Sequence, residues 1–299
     1  MSFATVFLAA LVVLLAGCGS GEASKPADAS GLKLRIGYAG FGEDKAVSEL
    51  TKVLLEERMG HGEVELRRVG IHEAYRDVAD RKLDAFQGVR MPGQQKEFEK
   101  VSDRTALFNS WIIGTTRASL AVPSYMKVRN PEQLDQDAAA HVLTIRPDAS
   151  PVGEIPKRAL ADYGLRVERE YRDAPAMLDE VDRLYKEKKP FVFIAWTPHW
   201  MNDEYDINYL EDPKGSLSEI TRPGSLHMLV RKDLQEKDPL AHALMDAILL
   251  TETEATNLQV SIRQAKSPKQ GVHNWIKEHD NDKLVKGWVE SARKRVADG

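Results

Sequence analysis

Tryptophan, histidine and carboxylates gather in one short stretch of the chain, Trp196-Thr197-Pro198-His199-Trp200-Met201, with Asp203 and Glu204 just beyond. Two kinds of chemistry could be built from them. A tryptophan face attracts an organic cation, worth about 0.5–2 kcal/mol depending on how dry the site is. Alternatively His199, Asp203 and Glu204 could ligate a metal or serve hydrolysis. The spacing does not favour that second use, because it matches no His-Glu-x-x-His motif and the chain has no Gly-x-Ser-x-Gly elbow. We therefore expect no catalytic residue, no metal and no cofactor. Trp196 and Trp200 are also what a hydrophobic core would hold. Residue types alone leave platform and core packing both open.

The stretch follows a continuous apolar run, Phe191 to Ala195. Its length and its aromatic and β-branched content predict a buried parallel strand. Pro198 cannot donate to a sheet ladder, so the strand must stop there. In an open α/β sheet the carboxyl end of such a strand is where ligands bind.

Upstream, Leu32, Leu34, Ile36 and Tyr38 alternate as a strand does. Gly40-Phe41-Gly42 follows, with Glu43 and Asp44 as candidate caps of a helix that carries Val47, Leu50, Val53 and Leu54 inward and ends near Gly60. Strands at 64–69 and 84–89 with a helix over 73–82 complete a unit that predicts a parallel sheet with right-handed crossovers. Further strands are expected at 110–114, 118–122, 142–145, 166–171 and 226–230, with helices over 174–188, 239–250, 253–264 and a tail helix over 272–296. The Gly40-Phe41-Gly42 loop is either a tight turn or a nest whose backbone N–H groups hold a ligand carboxylate.

The N-terminus reads as an address. Phe7 to Ala16 is an apolar run of signal-peptide length. It leads into Leu15-Ala16-Gly17-Cys18, which looks like a bacterial lipobox with the sole cysteine at the lipidation point. Met1-Ser2-Phe3 lacks the usual Lys or Arg. With Cys18 carrying lipid, no intrachain disulfide is possible, and an exported chain must be held by packing alone. A formal net charge of −4 argues against a nucleic-acid footprint.

The segments 196–201, Glu204-Tyr205-Asp206 and Tyr209-Leu210-Glu211-Asp212-Pro213-Lys214-Gly215 resemble the substrate-binding proteins of glycine betaine/proline/choline-type ABC importers. The resemblance implies a two-lobe α/β periplasmic-binding-protein fold of type II-like design, with the ligand in the inter-lobe cleft. It divides the chain into 1–18 (signal peptide), 19–31 (flexible tether), 32–119 (first lobe), 120–223 (second lobe) and 224–299 (return to the first lobe), with crossings near 117–121 and 221–225. It implies a monomer, lipid-anchored in the cell envelope and facing the periplasm or exterior, that binds a small zwitterionic compatible solute and works with permease and ATPase subunits.

Carried over residue by residue, the resemblance makes Trp196 a cage tryptophan around a quaternary ammonium. Gly40, Phe41 and Gly42 become main-chain contacts to the ligand carboxylate, and His227 a further carboxylate contact. His199 is a weaker candidate that would fix the turn. Two departures bear on the ligand. Arg90 stands where family members often place a tryptophan, and the loop Arg146 to Pro151 offers no aromatic. An arginine there would repel a cation and attract a carboxylate, unless it is simply a solvated surface charge. Two ligands are therefore carried forward, a betaine-like zwitterion or a more anionic, amino-acid-like solute anchored by Arg90. Beside the transport receptor stand a sensor lipoprotein on the same fold and, last, an exported hydrolase.

Overall fold

The computed structural model describes residues 30–146, 155–278 and 281–298. Cys18, the signal peptide, nearly all of the expected tether and residues 147–151 lie outside them. Among the described residues no helix is long and apolar enough to cross a membrane.

The chain begins with β1 (Lys33–Tyr38), β2 (Glu63–Arg68), β3 (Ala85–Met91) and β4 (Thr105–Leu107). It then builds β5 (Ala118–Pro123), β6 (Val142–Ile145), β7 (Val167–Tyr171), β8 (Val192–Trp196) and β9 (Ile207–Tyr209), and returns as β10 (Ser225–Arg231). These make two five-stranded sheets, β2-β1-β3-β10-β4 and β7-β6-β8-β5-β9. Each is mixed. β1, β2 and β3 are parallel, and β10 runs antiparallel between β3 and β4. In the second sheet β6, β7 and β8 are parallel, and β5 runs antiparallel between β8 and β9. This is the two-lobe α/β arrangement that the family resemblance implies, with the parallel strands that the βαβ pattern predicts in each sheet.

Helices cover the sheets because parallel strands need buried faces on both sides. Helix Glu43–Val53 continues as a π-helical turn, Leu54–Arg58, before Gly60 adopts φ +71. In the second lobe, helix Ala174–Lys186 is capped by Asp173 and turns Met177, Leu178, Val181 and Leu184 into the core. The expected C-terminal helix is two helices, Pro268–Lys277 and Asn281–Asp298. Trp275, Ile276, Trp288 and Val289 pack with Leu34, Ile36 and Leu50 in the core of the first lobe.

One local expectation needs correction, and two strands were missed. Residues 110–114 form no strand but a single bridge, Ile112 to Leu250. Their N–H groups are split between two neighbours, Trp111 donating to Leu226 O and Ile113 to Leu250 O. The short edge strands β4 and β9 escaped the reading altogether, because three residues carry too little alternation to register.

The two sheets are joined where Thr116 and Gly224 exchange backbone hydrogen bonds of 2.8 and 2.9 Å. Both crossings between the lobes pass through this pair, which sits beside the site described next.

Candidate functional site

All five residues of β8 are buried, and the strand ends on Trp196, whose ring is only 1% exposed. Beyond it the chain is turned by Asn202, whose side-chain amide donates to Trp196 O at 3.0 Å and to His199 O at 2.9 Å. Trp196 therefore projects from the strand end at a fixed angle, towards the first lobe. Phe41 meets it edge to face at 5.9 Å between ring centres, and His199 lies at 4.8 Å. The indole N–H donates to Glu43 Oε2 at 3.3 Å.

The loop after β1 is shaped from within. Asp44 is buried, and its carboxylate accepts the backbone N–H groups of Ala39, Gly40 (3.0 Å), Phe41 (2.9 Å) and Lys45 (2.7 Å). The nest expected to face a ligand is thus occupied at Gly40 and Phe41 by a side chain of the same loop. Asp44 was read as a helix cap, and it does serve the helix start, but it serves the turn as well. Gly42 has φ +96, and a Cβ there would lie 2.7 Å from His199 Nε2 and 2.8 Å from Gln259 Oε1. Only glycine lets this loop approach His199 so closely.

Arg90 is not a solvated surface charge, which removes one of the two readings made of it. Its guanidinium is 11% exposed and donates to Glu43 Oε1 at 2.8 Å, to Thr116 Oγ1 at 2.8 Å and to Thr197 O at 3.4 Å. Glu43 is 4% exposed. Burial pushes its carboxyl up to about 7, against the opposing pull of Arg90. The pair belongs to the first lobe and grips the second at Trp196 and Thr197.

His199 is also buried, and burial, followed by the charges of Arg263 and Arg90, holds it down at about 3. It is therefore neutral at ordinary pH, and its Nδ1 accepts the Met201 N–H at 3.2 Å. Gln259, from helix Glu252–Gln264 of the first lobe, donates to Pro198 O at 3.3 Å and accepts the Trp200 N–H at 3.3 Å. Arg263 of the same helix stacks 3.6 Å over the Trp200 ring. Outside these contacts an inter-lobe cleft of about 380 Å³ is lined by Gly40, Gly42, Leu178, Asp182, Trp200 and Arg263, among others. A smaller cavity of about 180 Å³ adjoins Arg90, Thr116, Arg117 and Ala118 on the side of the crossings.

The structure thus brings Trp196, Phe41, Gly42, His199 and Arg90 together and adds Glu43, Thr116 and Gln259, which were not singled out from the sequence. Only Glu43 gave a signal, and it read as a helix cap. His227 stands apart. Its Nδ1 meets Phe108 O at 2.8 Å and its Nε2 meets Ser225 Oγ at 2.7 Å. Register pairs His227 with Val89 and Leu226 with Arg90, so the pleat points His227 and Arg90 to opposite faces. Among the described residues no group of three or more His, Cys, Asp or Glu is placed to hold a metal ion.

A family model for the substrate-binding domain of the ABC-type glycine betaine transport system matches residues 33–278. The glycine betaine/carnitine transport binding protein of Listeria monocytogenes is 28% identical over 141 residues, covering 46% of this chain and 45% of that protein. The glycine betaine/proline betaine-binding periplasmic protein of Escherichia coli is 29% identical over 142 residues, covering 40% of this chain and 42% of that one. The chain thus spans under half the length of these curated relatives in the aligned segments. Among solved structures, lactococcal OpuAC in its closed, glycine betaine-bound conformation superposes with a TM-score of 0.74 at 24% identity, covering 86% of this chain and 99% of the other. A choline-binding ABC transporter protein in complex with choline gives 0.67 at 16%, covering 88% and 96%. At these identities the structural likeness speaks for the fold.

Proposed function

The chain belongs to the family of substrate-binding domains of ABC-type glycine betaine transport systems, and from that premise we propose that it is the extracytoplasmic receptor of an importer for a betaine-like zwitterion. Members of this family bind substrate and do not transform it. The solute enters between the lobes, its ammonium group resting on Trp196 with Phe41 closing over it. Arg90 takes the carboxylate. Lobe closure then presents the loaded protein to permease and ATPase subunits.

The observation that carries this reading is the position of Trp196. It ends a buried strand of one lobe and makes its ring contact and its indole hydrogen bond with Phe41 and Glu43 of the other. Hinge opening about the Thr116–Gly224 pair would uncover these groups together, and closure would dehydrate whatever they hold. A cation between the buried Trp196 ring, the partly buried Phe41 ring and the buried Glu43 carboxylate lies in a setting where desolvation strengthens cation–π attraction.

His199 acts in this scheme as a neutral spacer that sets the turn, while His227, on the face of the sheet opposite Arg90 and bound to Ser225 and Phe108, takes no part in it. Lipidation at Cys18 would hold the protein at the membrane, and residues 19–31 would let it reach the permease. The sensor alternative shares every feature of the site and differs only in its partners.

A thermal-shift screen tests the proposal. Glycine betaine, proline betaine, carnitine, choline, proline and acidic amino acids are each added to the purified protein. A ligand at about a hundred times its dissociation constant stabilises by about 2.7 kcal/mol, a rise of about 4–5 °C for a chain of this size. Shifts confined to acidic amino acids would replace the betaine assignment with the anionic one.

A further inference from the structure

We infer that Glu43 and Arg90 are together the specificity-determining pair of the cleft: they hold each other across the Trp196 indole and exchange partners with a ligand that carries both charges. The inference rests on the betaine-type reading above and names the ligand property that the pair selects. The sequence pointed to Glu43 only as a candidate helix cap and not as a ligand contact.

Charges in so dry a place must balance. The two side chains are 4% and 11% exposed, so water cannot replace a lost partner for either. Glu43 has one oxygen on Arg90 and the other on the Trp196 N–H. A cation seated against Trp196 is therefore also seated against Glu43. Its arrival draws the carboxylate away from Arg90, whose other contacts, Thr116 Oγ1 and Thr197 O, are neutral. Neutral acceptors do not balance a buried guanidinium, and an unpaired buried charge is heavily penalised.

A simple quaternary cation satisfies Glu43 and strands Arg90. A simple anion does the reverse. A zwitterion with ammonium and carboxylate a few ångström apart satisfies both, trading one ion pair for two. The cavity beside Arg90 and Thr116 gives the guanidinium or the incoming carboxylate room on that side. The planar guanidinium can also take a carboxylate by two parallel hydrogen bonds. The pair therefore works as a filter against half-complementary solutes, in which each charge protects the site from a ligand lacking the other.

Calorimetric titration of the full protein at pH 8, above the value of about 7 at which Glu43 ionises, with glycine betaine and with choline tests this on four forms: wild type, Arg90→Met, Glu43→Gln and the double variant. Wild type should favour glycine betaine. Arg90→Met should weaken glycine betaine by at least about tenfold while leaving choline unchanged or tighter, since truncating one partner of a buried charge pair costs that much or more. The double variant leaves no lone buried charge, so it should fold even if a single variant does not, and its preference should collapse towards equality. If Arg90→Met and the double variant weaken both ligands by the same factor, or leave their ratio unchanged, the pair is only a structural tie and the inference fails. If wild type binds neither ligand, the betaine reading itself falls and carries the inference with it, an outcome distinct from the first because there wild type binds.

Discussion

The indole N–H of Trp196 donates to the carboxylate of Glu43 at 3.3 Å, joining the last residue of a strand in one lobe to the first residue of a helix in the other. The bond is long, so its energy is modest. Its position matters more. Any cation brought to Trp196 meets an acidic group already in place, and any opening of the lobes must break this contact before the ring is exposed.

The raised pKa of Glu43 gives a signed prediction. Its folded-state value of about 7 lies above the ordinary 4.5, so between those limits the folded protein holds a proton that the unfolded chain has released. Stability supplied by Glu43 is then fully present at and below pH 4.5 and is lost as pH rises through 7. Glutamine cannot titrate. The melting temperature of wild type minus that of Glu43→Gln should fall steadily between pH 5 and pH 7.5, and a flat difference would show that Glu43 is ionised throughout.

His199 runs the other way. Its value of about 3, against an ordinary 6.5, means that the unfolded chain takes up a proton that the folded protein refuses. Stability should therefore be lost as pH falls from 6.5 towards 3. In His199→Asn the amide oxygen can still accept the Met201 N–H, and the loss should be visibly shallower when urea midpoints at pH 7 and pH 4 are compared. An equal slope in both proteins would refute the assignment. The Glu43 and His199 windows overlap with opposite sign, which is why each is read as a difference from its own variant.

Gly42→Ala tests the close approach of the first loop to the second lobe. The new methyl would meet His199 Nε2 and Gln259 Oε1 well inside contact distance, at a φ that L residues rarely adopt. We expect a loss of about 1–3 kcal/mol in denaturant-derived stability and weaker solute binding, because the lobes can no longer meet here. Unchanged affinity would mean that this contact plays no part in closure.

Much of the scaffold was legible because buried strands announce themselves. The run ending at Ala195 and the alternation from Leu32 to Tyr38 both fell within a residue or two of the strands found. What the sequence hid was contact at a distance. Arg90 and Glu43 are 47 positions apart, and nothing local distinguishes an arginine paired in a cleft from one in solvent. Gln259 sits on a polar helix and gave no sign that it reaches across to Pro198 and Trp200. The Gly-Phe-Gly loop was read as either a tight turn or a nest for a ligand carboxylate, and Asp44, three residues beyond Phe41, takes N–H groups that a ligand was expected to use. His227 illustrates the same limit in part: Ser225 lies two positions before it on the same strand, whereas Phe108 is brought to it by the pairing of β10 with β4.

Gln259→Ala should expose how much that reach contributes. It removes the partner of the Trp200 N–H and of the Pro198 carbonyl together. Leaving buried backbone groups unpaired costs about 1–3 kcal/mol each. Hydrogen–deuterium exchange over 198–202 should accelerate in the variant while β1 and β3 stay protected. Uniform acceleration throughout the chain would point instead to global destabilisation.

The most direct test of the account is a calorimetric titration of glycine betaine into wild type and into Trp196→Leu. Leucine fills much of the ring's volume but offers no π face and no N–H, so folding can be checked independently by circular dichroism. One saturable site in wild type, weakened about thirtyfold in the variant, is the predicted result, corresponding to the loss of a desolvated cation–π contact of about 2 kcal/mol. Equal affinity in the two proteins would place the ligand away from Trp196 and contradict the site described here.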